Sequence, residues 1–83
     1  MSWSTRDLIK KSDNKHYIEL SYDVVEDSKY IFDKNENFVR RYCGYGDLAE
    51  LEEEFTDAPT STVNNFEDAV SRMKRLKEKA LNL

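Results

Sequence analysis

His16 and Cys43 are the chain's single histidine and single cysteine, its nearest approach to a base and a nucleophile. A histidine beside a cysteine can activate the thiol for attack on a carbonyl. Nothing pairs these two except that each is the lone member of its type, and a strand residue and a small half-buried hydrophobe account for them better. There is no glycine-rich phosphate loop, no Cys/His cluster with zinc spacing and no D-x-D-x-D-G calcium loop. The sequence therefore predicts a protein that is not an enzyme, with no catalytic residue, no metal site and no cofactor. A lone cysteine also excludes an intrachain disulfide and fits a reducing compartment.

The carboxylates are distributed more informatively. Residues 47–68, DLAELEEEFTDAPTSTVNNFED, hold eight acids and no Lys or Arg. The 46 residues before them balance at eight acidic and eight basic, and the last fifteen hold five basic residues and one acid. The chain is thus neutral, then at −8, then at +4, which sums to its net −4. That balance provides no basic footprint for a phosphate backbone, so direct nucleic-acid binding is not expected. Tyr30, Phe32, Phe38, Arg40 and Tyr42 could stack bases if they shared a sheet face, but Ile31 and Val39 would then claim the other face, and one face must pack on helices.

The elements that carry these residues follow from periodicity. Ser4 and Asp7 read as an S-x-x-D capping box opening a short helix, with Trp3 and Leu8 as a hydrophobic staple. From Lys15 the period changes to two, placing Ile18, Leu20, Tyr22 and Val24 on one face of a strand. Lys29–Phe32 and Phe38–Cys43 read as a hairpin around Asp33–Asn37, in a register that sets Phe32 against Phe38, Ile31 against Val39 and Tyr30 against Arg40. Asp47 and Glu50 form a D-x-x-E box opening a second helix with Leu48, Leu51 and Phe55 inward, ended before Pro59. A last helix opens at Asn64 or Asn65, lined by Phe66, Val70, Met73, Leu76 or Lys77, and Ala80. The expected fold is α+β in the order α-β-β-β-α-α: a three-stranded antiparallel sheet with the helices packed on one face, in a single domain over 1–83. No apolar run approaches the roughly 18 residues of a membrane span and no signal-peptide core is visible, so a soluble, cytoplasmic, complete chain is expected.

On the second helix, Glu50, Glu53 and Asp57 lie opposite the apolar face, with Glu52 and Glu54 at its borders. Like charges at these spacings cost about 1 kcal/mol together. Two readings account for that cost. In an antiparallel helical hairpin, Arg72–Lys79 would pass close to Glu50–Glu54 and neutralise them. Alternatively, the stripe is a surface for a basic groove on another macromolecule.

Asp7-Leu8-Ile9-Lys10-Lys11, then Asn14-Lys15-His16-Tyr17 leading to Leu20-Ser21, resembles the start of a family of small acidic phage anti-CRISPR proteins that block the PAM-reading site of a type II CRISPR effector nuclease. The likeness spans residues 5–55 in expected topology, and the basic last helix departs from it. The resemblance implies DNA mimicry by Asp23, Glu26 and Asp27 after the first strand, by Asp33 and Glu36 in the hairpin loop, and by Glu50, Glu53, Glu54 and Asp57 on the acidic helix. The expected function is a non-enzymatic inhibitor acting as a monomer or small homo-oligomer. Its expected partner is a protein with a basic groove, such as a CRISPR effector nuclease, and not a membrane. An immunity protein or antitoxin neutralising a basic nuclease toxin is the alternative.

Overall fold

The computed structural model describes residues 3–22, 28–58 and 69–83. Among these the element order is β1 (Trp3–Lys10), β2 (His16–Tyr22), β3 (Ser28–Asp33), β4 (Phe38–Cys43), α1 (Gly44–Glu54), β5 (Phe55–Asp57) and α2 (Ala69–Leu81). The five strands form one antiparallel sheet in the order β4-β3-β2-β1-β5. The fold is α+β, but the expected three-stranded α-β-β-β-α-α arrangement is replaced by a five-stranded sheet with two helices.

The largest departure is at the N-terminus, where the expected first helix is strand β1. Its residues meet their complements across β2. Arg6 pairs with Glu19, Ser4 with Ser21, and Trp3 stacks on Tyr22 with ring centroids 4.6 Å apart. Cross-strand pairs of this kind stabilise a sheet, whereas an isolated helix this short is marginal in water. Ser4 and Asp7 accordingly cap nothing: Ser4 Oγ lies 3.1 Å from Ser21 Oγ, and Asp7 meets His16 and Arg72. Asn14, at φ 60°, takes the left-handed turn position that lets β1 return as β2.

The β3–β4 hairpin keeps Phe32 opposite Phe38, as expected, and then slips by one residue. Ile31 faces Arg40 and Tyr30 faces Arg41, with a bulge between. A bulge sends the following side chains to the other face. Tyr30 and Phe32 thus lie under α2, while Arg40 and Tyr42 turn towards α1. The aromatic-and-arginine face considered from the sequence is therefore divided between the two sides of the sheet.

The helices do not share a face either. Leu8, Ile31, Tyr42, Leu51 and Phe55 form one core, with Tyr17 and Leu48 against it. Ile18, Leu20, Phe32, Leu76 and Ala80 form a second, with Trp3, Tyr30 and Met73. Strand alternation puts these two sets on opposite faces, so α1 covers one side of the sheet and α2 the other. Both sides of β2 and β3 are needed, which is why Glu19, Leu20, Ile31 and Phe32 are all buried.

α1 starts at Gly44, earlier than expected, after the N-cap Cys43, which makes no side-chain cap. Asp47 Oδ2 instead accepts the Cys43 N–H at 3.1 Å. The helix stops at Glu54, well before Pro59, because Phe55–Asp57 joins β1 as a fifth strand. Lys11 N donates to Glu54 O and Ala58 N to Asp7 O, extending that ladder at both ends. In α2, Leu76 and Ala80 are buried, and Val70, expected inside, is 51% exposed. The expected start of this helix, Phe66, Pro59 and Val24 lie outside the described residues. Among the described residues no helix is long and apolar enough to cross a membrane.

Candidate interaction surface

Six carboxylates, Asp47, Glu50, Glu52, Glu53, Glu54 and Asp57, fall on α1 and β5. The cations that meet them come from the sheet beneath. Arg40 of β4 forks onto Glu50, with Nη1 and Nη2 each 3.1 Å from a carboxylate oxygen, and Nη2 also donates to Asp47 at 3.3 Å. The fork holds the Glu50 carboxyl below its ordinary range and pushes the Arg40 guanidinium up. Arg40 also lies 4.1 Å over the Tyr42 ring, and the Tyr42 hydroxyl donates to Glu54 at 3.1 Å. Burial, then that bond to Glu54, raises the Tyr42 hydroxyl pKa.

Arg6 of β1 is shared more thinly. Its Nη2 donates to Glu19 at 2.7 Å and lies 4.0 Å from Glu52, while Nη1 is 3.3 Å from Asp57. Two arginines therefore answer most of the α1 side. Glu52 and Asp57 keep side chains 73% and 75% exposed, and Glu53 is exposed with no ion pair among the described residues.

The expected pairing of this stripe with Arg72–Lys79 is overturned for Glu50, which Arg40 takes instead. The reason is architectural, since the sheet separates α1 from α2. α2 directs its cations to the other face. Arg72 forks onto Asp7 of β1. Arg75 donates twice to the Glu36 carboxylate, at 3.0 and 2.7 Å, and Lys79 donates to the Glu36 carbonyl at 2.7 Å. The Arg75 hydrogen bonds outweigh burial and hold Glu36 below its ordinary pKa. Asp33 shapes the same hairpin loop: its Oδ1 accepts the N–H groups of Asn35 and Asn37 at 2.8 and 2.9 Å, and the Asn37 bond leads in lowering its pKa.

The nine residues assigned to partner binding thus fall into separate places. Glu50, Glu53, Glu54 and Asp57 share the α1–β5 surface. Asp33 and Glu36 sit at the β3–β4 turn, and Glu36 is engaged by α2. Asp23, Glu26 and Asp27 lie outside the described residues. Sequence reasoning missed Arg6, Arg40 and Glu19, which organise the surface from below. Period-two reading of residues 3–10 would have put Ser4, Arg6 and Leu8 on one face of a strand, while the pairing of Arg6 with Glu19 is set by the β1–β2 register.

His16 and Cys43 stand apart. Cys43 pairs with Ser28 at one end of the sheet, whereas His16 lies beyond the Tyr17–Asp33 pair at the other. Cys43 is exposed, not half-buried. Among the described residues no three His, Cys, Asp or Glu side chains assemble as metal ligands.

A scan of protein-family models and searches of curated proteins and solved structures found no match. The short DLI helix implied by the anti-CRISPR resemblance is part of strand β1, which overturns that element of the expected topology.

Proposed function

We propose that this protein is a small non-enzymatic inhibitor whose α1–β5 surface occupies a basic site on a nucleic-acid-binding protein. One observation carries the reading. The sheet holds the acidic helix on one face and the basic helix, with Arg72, Lys74, Arg75, Lys77 and Lys79 against Glu78, on the other. The sequence's charge asymmetry thereby becomes a spatial one, and Glu52, Glu53 and Asp57 are left presented outward. Carboxylates so placed compete with phosphates for a cationic groove and steer association at low salt. The resemblance noted in the sequence points to a guide-loaded type II CRISPR effector nuclease as the partner to try first.

The test is inhibition of target-DNA cleavage by such a nuclease at increasing salt. The parent should inhibit, with a potency that falls as salt screens the contact. Glu52→Gln with Glu53→Gln should weaken inhibition while leaving the melting temperature unchanged. Lys74→Ser, on the opposite face, should inhibit like the parent. Inhibition indifferent to the two glutamates and to salt would overturn the acidic surface as the docking face.

A further inference from the structure

Each helix keeps an exposed seam. On α1, Tyr45, Ala49 and Glu52 recur at i, i+4 and i+7 and so share one side. Tyr45 is 92% exposed, and Ala49 and Glu52 are exposed too. On α2, Val70, Lys74, Lys77 and Leu81 recur at i, i+4, i+7 and i+11, with Val70, Lys74 and Leu81 exposed. Read backwards, the spacing of Leu81, Lys77 and Lys74 repeats that of Tyr45, Ala49 and Glu52. Laid antiparallel, the seams therefore set Tyr45 on Leu81 and Glu52 on Lys74, and the small Ala49 leaves room for Lys77.

The charges on these seams find little within the chain. Arg72, Arg75 and Lys79 are turned to Asp7 and Glu36, and the Lys77 ammonium lies 5.9 Å over the Trp3 ring. That leaves Lys74, which no carboxylate among the described residues answers. Glu52 is reached by Arg6 at 4.0 Å. The two seams cannot meet in one molecule, because the sheet lies between the helices. A second copy can bring them together. Like seams do not fit: α2 laid antiparallel on another α2 sets Lys74 against Lys77, and α1 on α1 joins two acidic surfaces, a juxtaposition that costs free energy. At 0.1 M salt, charges act over about 10 Å, so the seams in contact decide the outcome and the chain's net −4 does not.

We propose that this protein associates with itself head to tail, the α1 seam of one copy lying antiparallel on the α2 seam of the next. The contact is heterologous, so every copy added still offers one seam of each kind, and copies stack without closing into a two-fold dimer. One helix pair covers less than the roughly 1,000 Å² of a durable interface, so the association is weak and reversible. It draws on part of the acidic surface but does not rest on the inhibitor reading, and it is tested without a partner protein.

The experiment is sedimentation velocity of the full chain up to about 1 mM, in about 50 mM and about 500 mM salt. The parent should sediment faster as its concentration rises in low salt, and as a monomer in high salt. Glu52→Lys and Lys74→Glu should each associate at least about tenfold more weakly than the parent, with unchanged melting temperatures. Mixed in equal amounts, the two variants should regain the parent's association, because every contact in an alternating stack then joins opposite charges. A parent that stays monomeric at about 1 mM in low salt, or a mixture no stronger than its components, would overturn the proposal. So would Lys74→Glu associating more strongly by itself, the mark of α2 packing on α2.

Discussion

Arg72 of α2 grips Asp7 of β1 with both ends of its guanidinium. Nη1 donates to Oδ1 at 3.0 Å and Nη2 to Oδ2 at 3.2 Å, across 65 residues of chain. Nη2 also reaches Thr5 Oγ1 at 3.1 Å, and His16 Nε2 lies 2.9 Å from the same Asp7 Oδ1. The fork fixes α2 in the orientation that turns Met73, Leu76 and Ala80 onto the sheet. Arg72→Ala should therefore cost about 2 kcal/mol, the scale of hydrogen bonds between charged groups. Lys74→Ala, on the exposed side of the same helix, should stay within about 0.5 kcal/mol. Chemical denaturation measures both, and equal effects would show that α2 is held by apolar contact alone.

Acid should loosen the same side of the molecule. Burial pushes the Asp7 carboxyl up, but hydrogen bonds from Arg72 and His16 outweigh it and hold it below its ordinary 3.8. Glu36 is held below its ordinary 4.5, chiefly by Arg75. A folded-state pKa below the unfolded one means the unfolded chain takes protons first, so stability falls as pH falls. The contribution is fully present above about pH 5 and drains as pH drops through the ordinary values towards the folded ones. Glu36→Gln should lower stability at neutral pH and flatten its decline in acid. A decline as steep as the parent's would remove Glu36 from that response.

Arg6 and Glu19 give a sharper test of the buried pair. Arg6→Ala leaves the Glu19 carboxylate buried with no cation, a change of about 3 kcal/mol. Replacing both by Leu removes the charge together with its partner, and should recover most of that loss. Thermal melts of the single and double variants decide it. A double variant no better than the single one would show that the pair is a net stabiliser.

Leu76 tests the second core. It is fully buried among Ile18, Leu20 and Phe32. Leu76→Ala should cost about 2–5 kcal/mol through lost transfer energy and an unfilled cavity. Leu81→Ala, at a side chain 66% exposed, should change little. Equal losses in the two would mean that α2 packs with a different face inward.

Much of the middle of the chain could be read from its residues. Alternation over Ile18, Leu20 and Tyr22 gave β2, and Phe32 opposite Phe38 followed from a five-residue polar loop. Leu48, Leu51 and Phe55, expected on one helix face, do pack on one core, although Phe55 reaches it from β5. Of the surface, the acidic stripe was visible, because charge needs no fold to be counted. Its answering cations were not, because Arg6 and Arg40 owe their positions to pairing. Arg40 turns towards Glu50 because the bulge between the Ile31 and Phe32 pairs shifts the register by one. A bulge is a property of two strands together, and neither strand's sequence records it.

The sequence by itself determined the charge order along the chain, the paired-strand centre and the inward placement of Leu48, Leu51, Met73, Leu76 and Ala80, since these depend on spacing within a segment. Tertiary structure decided whether Trp3–Lys10 became helix or strand, because the local signals of Ser4 and Asp7 were outweighed by Ser21 and His16 on β2, 17 and 9 residues away, and by Arg72 of α2. It also decided that Phe55–Asp57 would close the free edge of β1, and that α1 and α2 would take opposite faces. Both faces of β2 and β3 carry apolar side chains that must leave water. One layer of helices can cover only one of them, so the acidic and basic helices are divided between the two.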